Sequence, residues 1–312
     1  MNGLNQVAVI VVTFNSAHCV PALAACLAGY PHVIVVDNGS ADDTLSQVAT
    51  GLPQAKCFAL PENIGFGSAN NVGLRYIAER NLAPFALLLN PDCTISPENV
   101  AQLLATAHAQ PQAALIAPLL LDAAGRAQHT YRLDSHRFPH KPTLNQIDGA
   151  LCVGFLTGAC WLLRVAPTLS LAGSGGFDER IFLYYEDDDL CLRLAQAGHT
   201  LILDPAATAT HASRGSVKMK AGVFGGLVSN FKGEYIRGYH HTRAKLYFLG
   251  KWRGQSVARR KRWRLLAVTT LFLVPLRAVG SVLTLNTRYL GRACGRLMAL
   301  VGKGIVACDT AK

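Results

Sequence analysis

The last third of this chain is nearly empty of acid. Residues 212–312 hold two carboxylates against 20 Lys and Arg, a net charge of +18, while residues 1–211 carry −7. A tail of that sign seeks phosphates, of nucleic acid or of anionic lipid. The opposite shortage marks the front: Val7–Gly51 contains no Lys or Arg. A nucleotidyltransferase on an α/β sheet needs a basic triphosphate loop near its first strand, so that alternative is disfavoured. The nine Cys fall singly and form no CxxC pair, a pattern of buried, reduced thiols in a cytosolic protein. A secretory leader is not expected, because the start lacks a basic region and Val7–Val12 is too short an apolar run. No apolar run reaches the roughly 20 residues of a membrane span. Leu265–Leu276 comes nearest, but Pro275 interrupts it and Arg277 follows, which reads as an interfacial or shallow re-entrant helix. Internal repeats and low-complexity tracts are absent too.

What is present in the front part alternates. Val7–Val12, Val33–Val36 and Phe85–Leu89 are continuous apolar runs, as expected of strands buried on both faces. Helical periodicity lies around Val20–Leu27, Ala69–Glu79 and Glu98–His108. This order predicts an α/β fold, a mostly parallel central sheet flanked by helices. From Ala114 to Arg164 the pattern is less regular. Leu121–Arg126 reads as a turn, Arg132–Asp148 as a polar loop, and Cys152–Leu163 as a strand in which Gly154 and Gly158 allow close backbone approach. Glu186–Ala197 reads as a helix with four acids in its first turn and Gly198 as its stop. In the tail, Phe231–Trp252 is helix-like, and Arg259–Arg264 is a dense basic block.

The strands end in polar clusters, and in open α/β sheets ligands bind at the carboxyl ends of strands. Asp37 could accept a hydrogen bond from N3–H of a uracil or thymine, with Phe14 stacked on the base; equally, Asp37 and Asp42 suit a turn or helix cap. The Gly-rich stretch Asn63–Gly73 opens a helix whose free N–H groups favour phosphate. Asp92, after Asn90-Pro91, suits a Mg²⁺ or Mn²⁺ bridging a diphosphate, or a solvated turn. Glu186–Asp189 repel one another unless a helix N-terminus, a cation or a catalytic task offsets the charge. Asp187 suits a general base whose neighbours raise its pKa. His211 suits a metal ligand or an ordinary surface or core His.

The ordered series VVTFN, VDNGSADDT, NIGFGSANNVGL, LLLNPD, GFLTGACWLLR, GGFDERIFLYYEDDDLCLRL and a following His resembles family 2 glycosyltransferases, in particular rhamnosyltransferase-like members that build bacterial surface polysaccharides such as O-antigen. It covers about residues 5–215. The resemblance implies a GT-A (Rossmann-like) fold and inverting transfer from a nucleotide-diphosphate sugar, with dTDP-L-rhamnose the preferred guess. Thr13, Phe14, Asn15 and Asp37 would hold the nucleoside, with Asn63, Gly65 and Asn71 along the nucleotide pocket. Asp92 would be the metal-binding acid of the DxD motif, whose first acid is Asn90 here. Gly158 and Ala159 would lie near donor and acceptor. Asp187 would be the base, supported by Glu186 and, on the acceptor side, Asp189, while Asp188 is solvated. His211, 24 residues after Asp187, matches a metal-ligand His of galactofuranosyl-transferring relatives.

The expected organisation is a glycosyltransferase domain over 1–215 and a basic, partly apolar helical extension over 216–312. The expected partners are a saccharide acceptor that is lipid-linked and an anionic membrane surface. The expected place is cytoplasmic, peripheral on the inner face of the bacterial cytoplasmic membrane. A nucleic-acid-binding protein is the reading from another class; the apolar run beside the basic block favours membrane over nucleic acid.

Overall fold

A computed structural model of the chain describes residues 3–133, 149–173, 175–212, 223–284 and 287–302. The chain divides into two compact units: residues 1–180 with 186–216, and residues 181–185 with 217–312.

The first unit is built on one sheet. The apolar runs become β1 (Val7–Thr13) and β2 (His32–Asp37), separated by α1 (Val20–Leu27). After α2 (Thr44–Gly51) comes β3 (Lys56–Ala59), then α3 (Phe66–Arg80), β4 (Phe85–Leu89), β5 (Cys93–Ile95), α4 (Pro97–Ala109) and β6 (Ala113–Leu121). The remainder comprises β7 (Tyr131–Arg132), β8 (Leu151–Val153), β9 (Phe155–Leu156), β10 (Cys160–Arg164), α5 (Val165–Leu169), α6 (Glu186–Gln196) and β11 (Thr200–His211). The order across the sheet is β3-β2-β1-β4-β10-β6-β11-β5, with β8 also on β11.

The first four strands are parallel, as the alternating strand–helix order requires. Beyond them the sheet is mixed. β10 enters antiparallel between β4 and β6, β6 and β11 run parallel, and β5 and β8 lie antiparallel on β11. β1 explains the layering. Val7, Val9 and Val11 enter the core shared with Leu23, Leu27, Val100 and Leu103, while Ala8, Ile10 and Val12 enter the one shared with Leu74, Ile77, Trp161 and Leu190. Alternate side chains of a strand face opposite layers, so a wholly apolar strand has helices on both sides.

Local signals set the helix ends. α4 starts with Pro97 behind Ser96, whose hydroxyl accepts from the Asn99 N–H at 3.3 Å. α3 stops at Asn81 in the left-handed region, and Gly198, also left-handed, follows α6.

Cys152–Leu163, expected as one strand, is three. The backbone leaves the main sheet at Gly154, whose N–H bonds to the Arg132 carbonyl, and Thr157 N–H bonds to the Thr130 carbonyl. β9 thereby pairs with β7 in a separate two-stranded sheet. Arg132 thus belongs to β7 rather than to a loop; residues 134–148 of that expected loop lie outside the described residues. The expected turn at Leu121–Arg126 is present, with Asp122 Oδ1 accepting from the Ala124 and Arg126 N–H groups.

The second unit is helical: α7 (Val223–Arg253), α8 (Gln255–Val268), a π-helical turn (Thr269–Leu273), α9 (Val274–Thr284) and α10 (Arg288–Val301). α7 and α10 pack backbone to backbone. A Cβ on Gly291 would sit 2.4 Å from the Phe231 carbonyl oxygen, and one on Gly238 would sit 2.3 Å from that of Arg292. Among the described residues no helix is long and apolar enough to cross a membrane.

Candidate active site

The carboxyl ends of β1 and β2 meet in one hydrogen-bonded corner. Asp37, 1% exposed, accepts from Thr13 Oγ1 at 2.8 Å and Ser40 Oγ at 2.6 Å through Oδ1, and from the Ser40 N–H at 2.9 Å through Oδ2. Asn15, with φ of 50°, donates its N–H to Ser40 Oγ and accepts from the Ala41 N–H, both at 2.8 Å. Phe14 stands outside this network, 39% exposed. Gly39 permits the turn: φ is +79°, and a Cβ there would press on the Glu62 backbone at 2.9 Å. Most of Asp37's accepting capacity is therefore spent on the corner itself, with room for one further donor.

Asn38 ties this corner to the Gly-rich loop. Its side chain donates to Asn63 Oδ1 at 3.0 Å and accepts from the Ile64 N–H at 2.9 Å. Asn63 Oδ1 also accepts from the Gly65 N–H, and Gly65 opens α3 with φ of 93°. Asn71 departs from expectation. It is fully buried and clamps the segment after α5, accepting from the Phe177 N–H at 2.8 Å and donating to the Phe177 carbonyl at 2.9 Å and Glu179 Oε1 at 3.1 Å. It sits on the buried face of α3, and its amide holds the Phe177–Glu179 segment.

The end of β4 leads to Asn90, whose N–H bonds to the Ala159 carbonyl at 2.9 Å. Asn90 Oδ1 is buried and meets no hydrogen-bond partner among the described residues. Asp92 and His211 come together because β5 pairs with the end of β11, His211 lying opposite Cys93. His211 Nε2 is 3.5 Å from Asp92 Oδ1, and Nδ1 is 3.3 Å from Gln128 Oε1. The fit to a hard cation is fair. One carboxylate and one imidazole converge at a partly open edge, and a Mg²⁺-type ion takes most of its remaining oxygens from water and phosphate. Among the described residues no cluster of three or more His, Cys, Asp or Glu forms a protein-only metal cage.

Gly158 and Ala159 lead into β10, and the Gly158 N–H bonds to the Asp187 carboxylate. The four acids open α6 as expected, and their environments separate them. Burial, then the charge of Asp188, pushes the Asp187 carboxyl up to about 6, against the pull of the Asp188 and Gly158 N–H groups. Glu186 is raised well above the ordinary range by burial and then by Asp187. Its Oε2 is buried and meets no hydrogen-bond partner among the described residues. So burial is the larger cause of these shifts and neighbouring charge the smaller. Asp188 is not simply solvated: it pairs with Arg132, whose guanidinium lies 3.9 Å from the centre of the Phe155 ring. Asp189, expected as support on the acceptor side, has its carboxylate inside the protein. Its side chain is wholly buried against Arg193, Oδ2 to Nε at 2.8 Å, one turn along the same helix. Asp189 comes three residues after Glu186, so the first and fourth acids of the run share the buried face of the helix.

The sequence reading missed Asn38, Arg132 and Gln128. Asn38 was within sight in the VDNGS run. Arg132 and Gln128 act from a region with no legible periodicity.

Comparison with known proteins bears on the family and the fold. Residues 8–169 match Glycosyl transferase family 2. The N-acetylglucosaminyl-diphospho-decaprenol L-rhamnosyltransferase of Mycobacterium tuberculosis is 28% identical over 204 residues, 57% of this chain and 66% of that protein. Rhamnosyltransferase WbbL of Escherichia coli is 28% identical over 165 residues, 47% of this chain and 60% of that protein. The match therefore spans less than two thirds of the length of either relative. Among solved structures, GalNAc-T7 with UDP, GalNAc and Mn²⁺ matches with a TM-score of 0.52 and 14% identity, over 67% of this chain and 44% of that one. That likeness concerns the fold, which is GT-A. On the match of more than half its length, this chain belongs to glycosyltransferase family 2.

Proposed function

We propose that the protein is an inverting, metal-assisted glycosyltransferase that moves a sugar, with L-rhamnose from dTDP-L-rhamnose the preferred candidate, onto a hydroxyl of a lipid-linked saccharide. One observation carries the reading. Asp187 lies partly buried at the N-terminus of α6, its carboxyl held at about 6 against Gly158 and beside Glu186, whose own carboxyl burial pushes well above the ordinary range. A carboxylate poised near neutral pH in a strand-end crevice suits proton abstraction.

The corner of Thr13, Asn15 and Asp37 holds the nucleoside, and Phe14 offers the exposed ring for stacking. Asn63 and Gly65 shape the adjoining loop. Asp92 and His211 would hold Mg²⁺ or Mn²⁺, which when bound would neutralise charge on the leaving diphosphate. Asp187 takes the proton of the acceptor hydroxyl. The oxygen bonds to the anomeric carbon from the face opposite the diphosphate, and the carbon–oxygen bond to that diphosphate breaks, its electron pair leaving with the phosphate. Glu186, buried beside the base and with its carboxyl raised well above the ordinary range, resists a second negative charge there. Asp189 and Arg193 hold α6 in register.

The relative from M. tuberculosis, named for a decaprenol diphosphate acceptor, supports a lipid-linked acceptor here. The helical unit supports an anionic membrane surface as the place of work. Val268, Leu271, Phe272, Leu276 and Val279 are exposed at helical spacing, while Thr269 and Ser281 are buried. This inverts the usual amphipathic pattern, and the Arg259–Arg264 block lies one to two turns before it.

The test is Asp187→Asn. Nucleotide-sugar binding, followed by thermal shift with Mg²⁺ or Mn²⁺, is retained, while transfer falls by at least about 1,000-fold, in line with loss of an essential base. Near-parental turnover in that variant would remove Asp187 from the role.

A further inference from the structure

Five residues interrupt the catalytic unit. The chain up to Arg180 and from Glu186 onward packs in that unit, yet Ile181–Tyr185 packs with residues 217–312. Within the helical unit this segment is gripped by aromatic contacts from one helix. The Phe182 ring stacks on His240 with centroids 4.4 Å apart. His241 lies against both tyrosines, 5.6 Å from Tyr184 and 5.4 Å from Tyr185. Tyr185 also meets Phe248 at 5.2 Å. His241 and Phe248 are seven residues apart, two turns along one face of α7. Burial, then Arg243, lowers the His240 pKa to about 4, so its ring is neutral and stacks as an aromatic at physiological pH.

The backbone inside this grip is unusual. Tyr184 and Tyr185 have φ of 68° and 66°. Two successive bulky residues in the left-handed region are rare, and each is strained. Such a turn persists only when its surroundings hold it. Aromatic pairs add to what burial alone supplies, and the four ring contacts made by Phe182, Tyr184 and Tyr185 supply that hold. The residue after Tyr185 is Glu186, and the next is Asp187.

We propose that His241 and Phe248 of α7 are positioning residues for the reaction: by clasping Tyr184 and Tyr185 in the left-handed turn, they set the direction in which the chain enters the first turn of α6 and so the aim of the Asp187 carboxylate. This rests on Asp187 as the base. The helical unit then has a part in the chemistry besides any membrane role, because the turn ahead of the acids is built into it.

The experiment uses the full-length protein and a water-soluble acceptor analogue, so that membrane attachment does not enter. His241→Ala removes the ring between the tyrosines. It lowers kcat by about 10- to 100-fold, the scale of a misplacement near 1 Å, with the donor KM changed by less than about 2-fold, as expected when ground-state binding is spared. His241→Phe restores most of kcat by restoring a ring. Tyr185→Asn, which tolerates the left-handed turn but has no ring, lowers kcat like His241→Ala, and it serves if the latter does not fold. A parental kcat in folded His241→Ala or Tyr185→Asn overturns the proposal. So does a loss in which kcat/KM and Tm fall together and His241→Phe restores neither, which marks plain structural support. Asp187→Asn run alongside separates the two ideas: if it turns over normally, the base assignment has failed, whatever the clasp variants do.

Discussion

Asp187 stands under two opposed demands. The proposed role as base needs its carboxylate unprotonated, and its surroundings resist that charge. Its ordinary pKa of 3.8 is raised to about 6, by burial first and Asp188 second. The rate of transfer therefore climbs with pH through about 6, and a pH–rate profile at saturating substrates displays that limb. The same shift acts on stability in the reverse sense. The folded chain holds the proton until about 6 and the unfolded chain only until about 4, so the contribution is fully present below about 4 and is lost as pH rises through 6. Asp187→Asn, which cannot ionise, is expected to melt at a higher temperature than the parent above pH 6 and at the same temperature below pH 4. Calorimetry across that range checks it, and an unchanged Tm difference with pH would refute a strained carboxylate. Residue identity alone shows four acids in a row. Which one is raised, which pairs with Arg132 and which is buried against Arg193 depends on partners up to 56 residues away.

At the scale of elements, strand pairing decides what meets what. Asp92 and His211 are far apart in sequence and adjacent only because β5 lies antiparallel on the end of β11. β11 reaches that edge through a register shift between Asp204 and Thr208, where Pro205 breaks the ladder. His211→Ala should keep the fold, since the backbone pairing stays, and should raise the Mn²⁺ concentration that supports half-maximal transfer by about 10-fold or more, the lower end expected for lost metal-site support. A metal titration of the rate measures it, and an unchanged midpoint would exclude His211 as a ligand. The long apolar strands and periodic helices were legible beforehand because a strand buried on both faces must be apolar throughout. The short strands β5 and β7 to β9 were not, because three residues carry no period. Asn71 shows the same limit for a side chain. A polar residue in a Gly-rich helix start reads alike whether it faces a ligand or clamps a neighbouring segment.

For the whole molecule, charge and apolar exposure coincide in the second unit. Leu271, Phe272, Leu276 and Val279 are each at least 60% exposed, downstream of the basic block. The paired substitution Leu271→Asp, Phe272→Asp is expected to release the full-length protein from vesicles containing anionic lipid while leaving transfer to a soluble acceptor intact. Raising the salt weakens the parent's binding through screening of the basic block. Vesicle sedimentation tests both, and undiminished binding of the double variant would reject an inserted apolar stripe.

The sequence by itself determined the class of fold, the family and the polarity of the chain's two parts. Each of these follows from local quantities: apolar period, ordered short motifs and a count of charges. Only the tertiary structure decided the division of labour inside the acidic run, the meeting of Asp92 with His211, the inward turn of Asn71 and the clasp on Tyr184 and Tyr185. Those depend on distances between residues remote in sequence. Burial, the largest influence on the carboxyls of Glu186 and Asp187, exists only once the layers have closed.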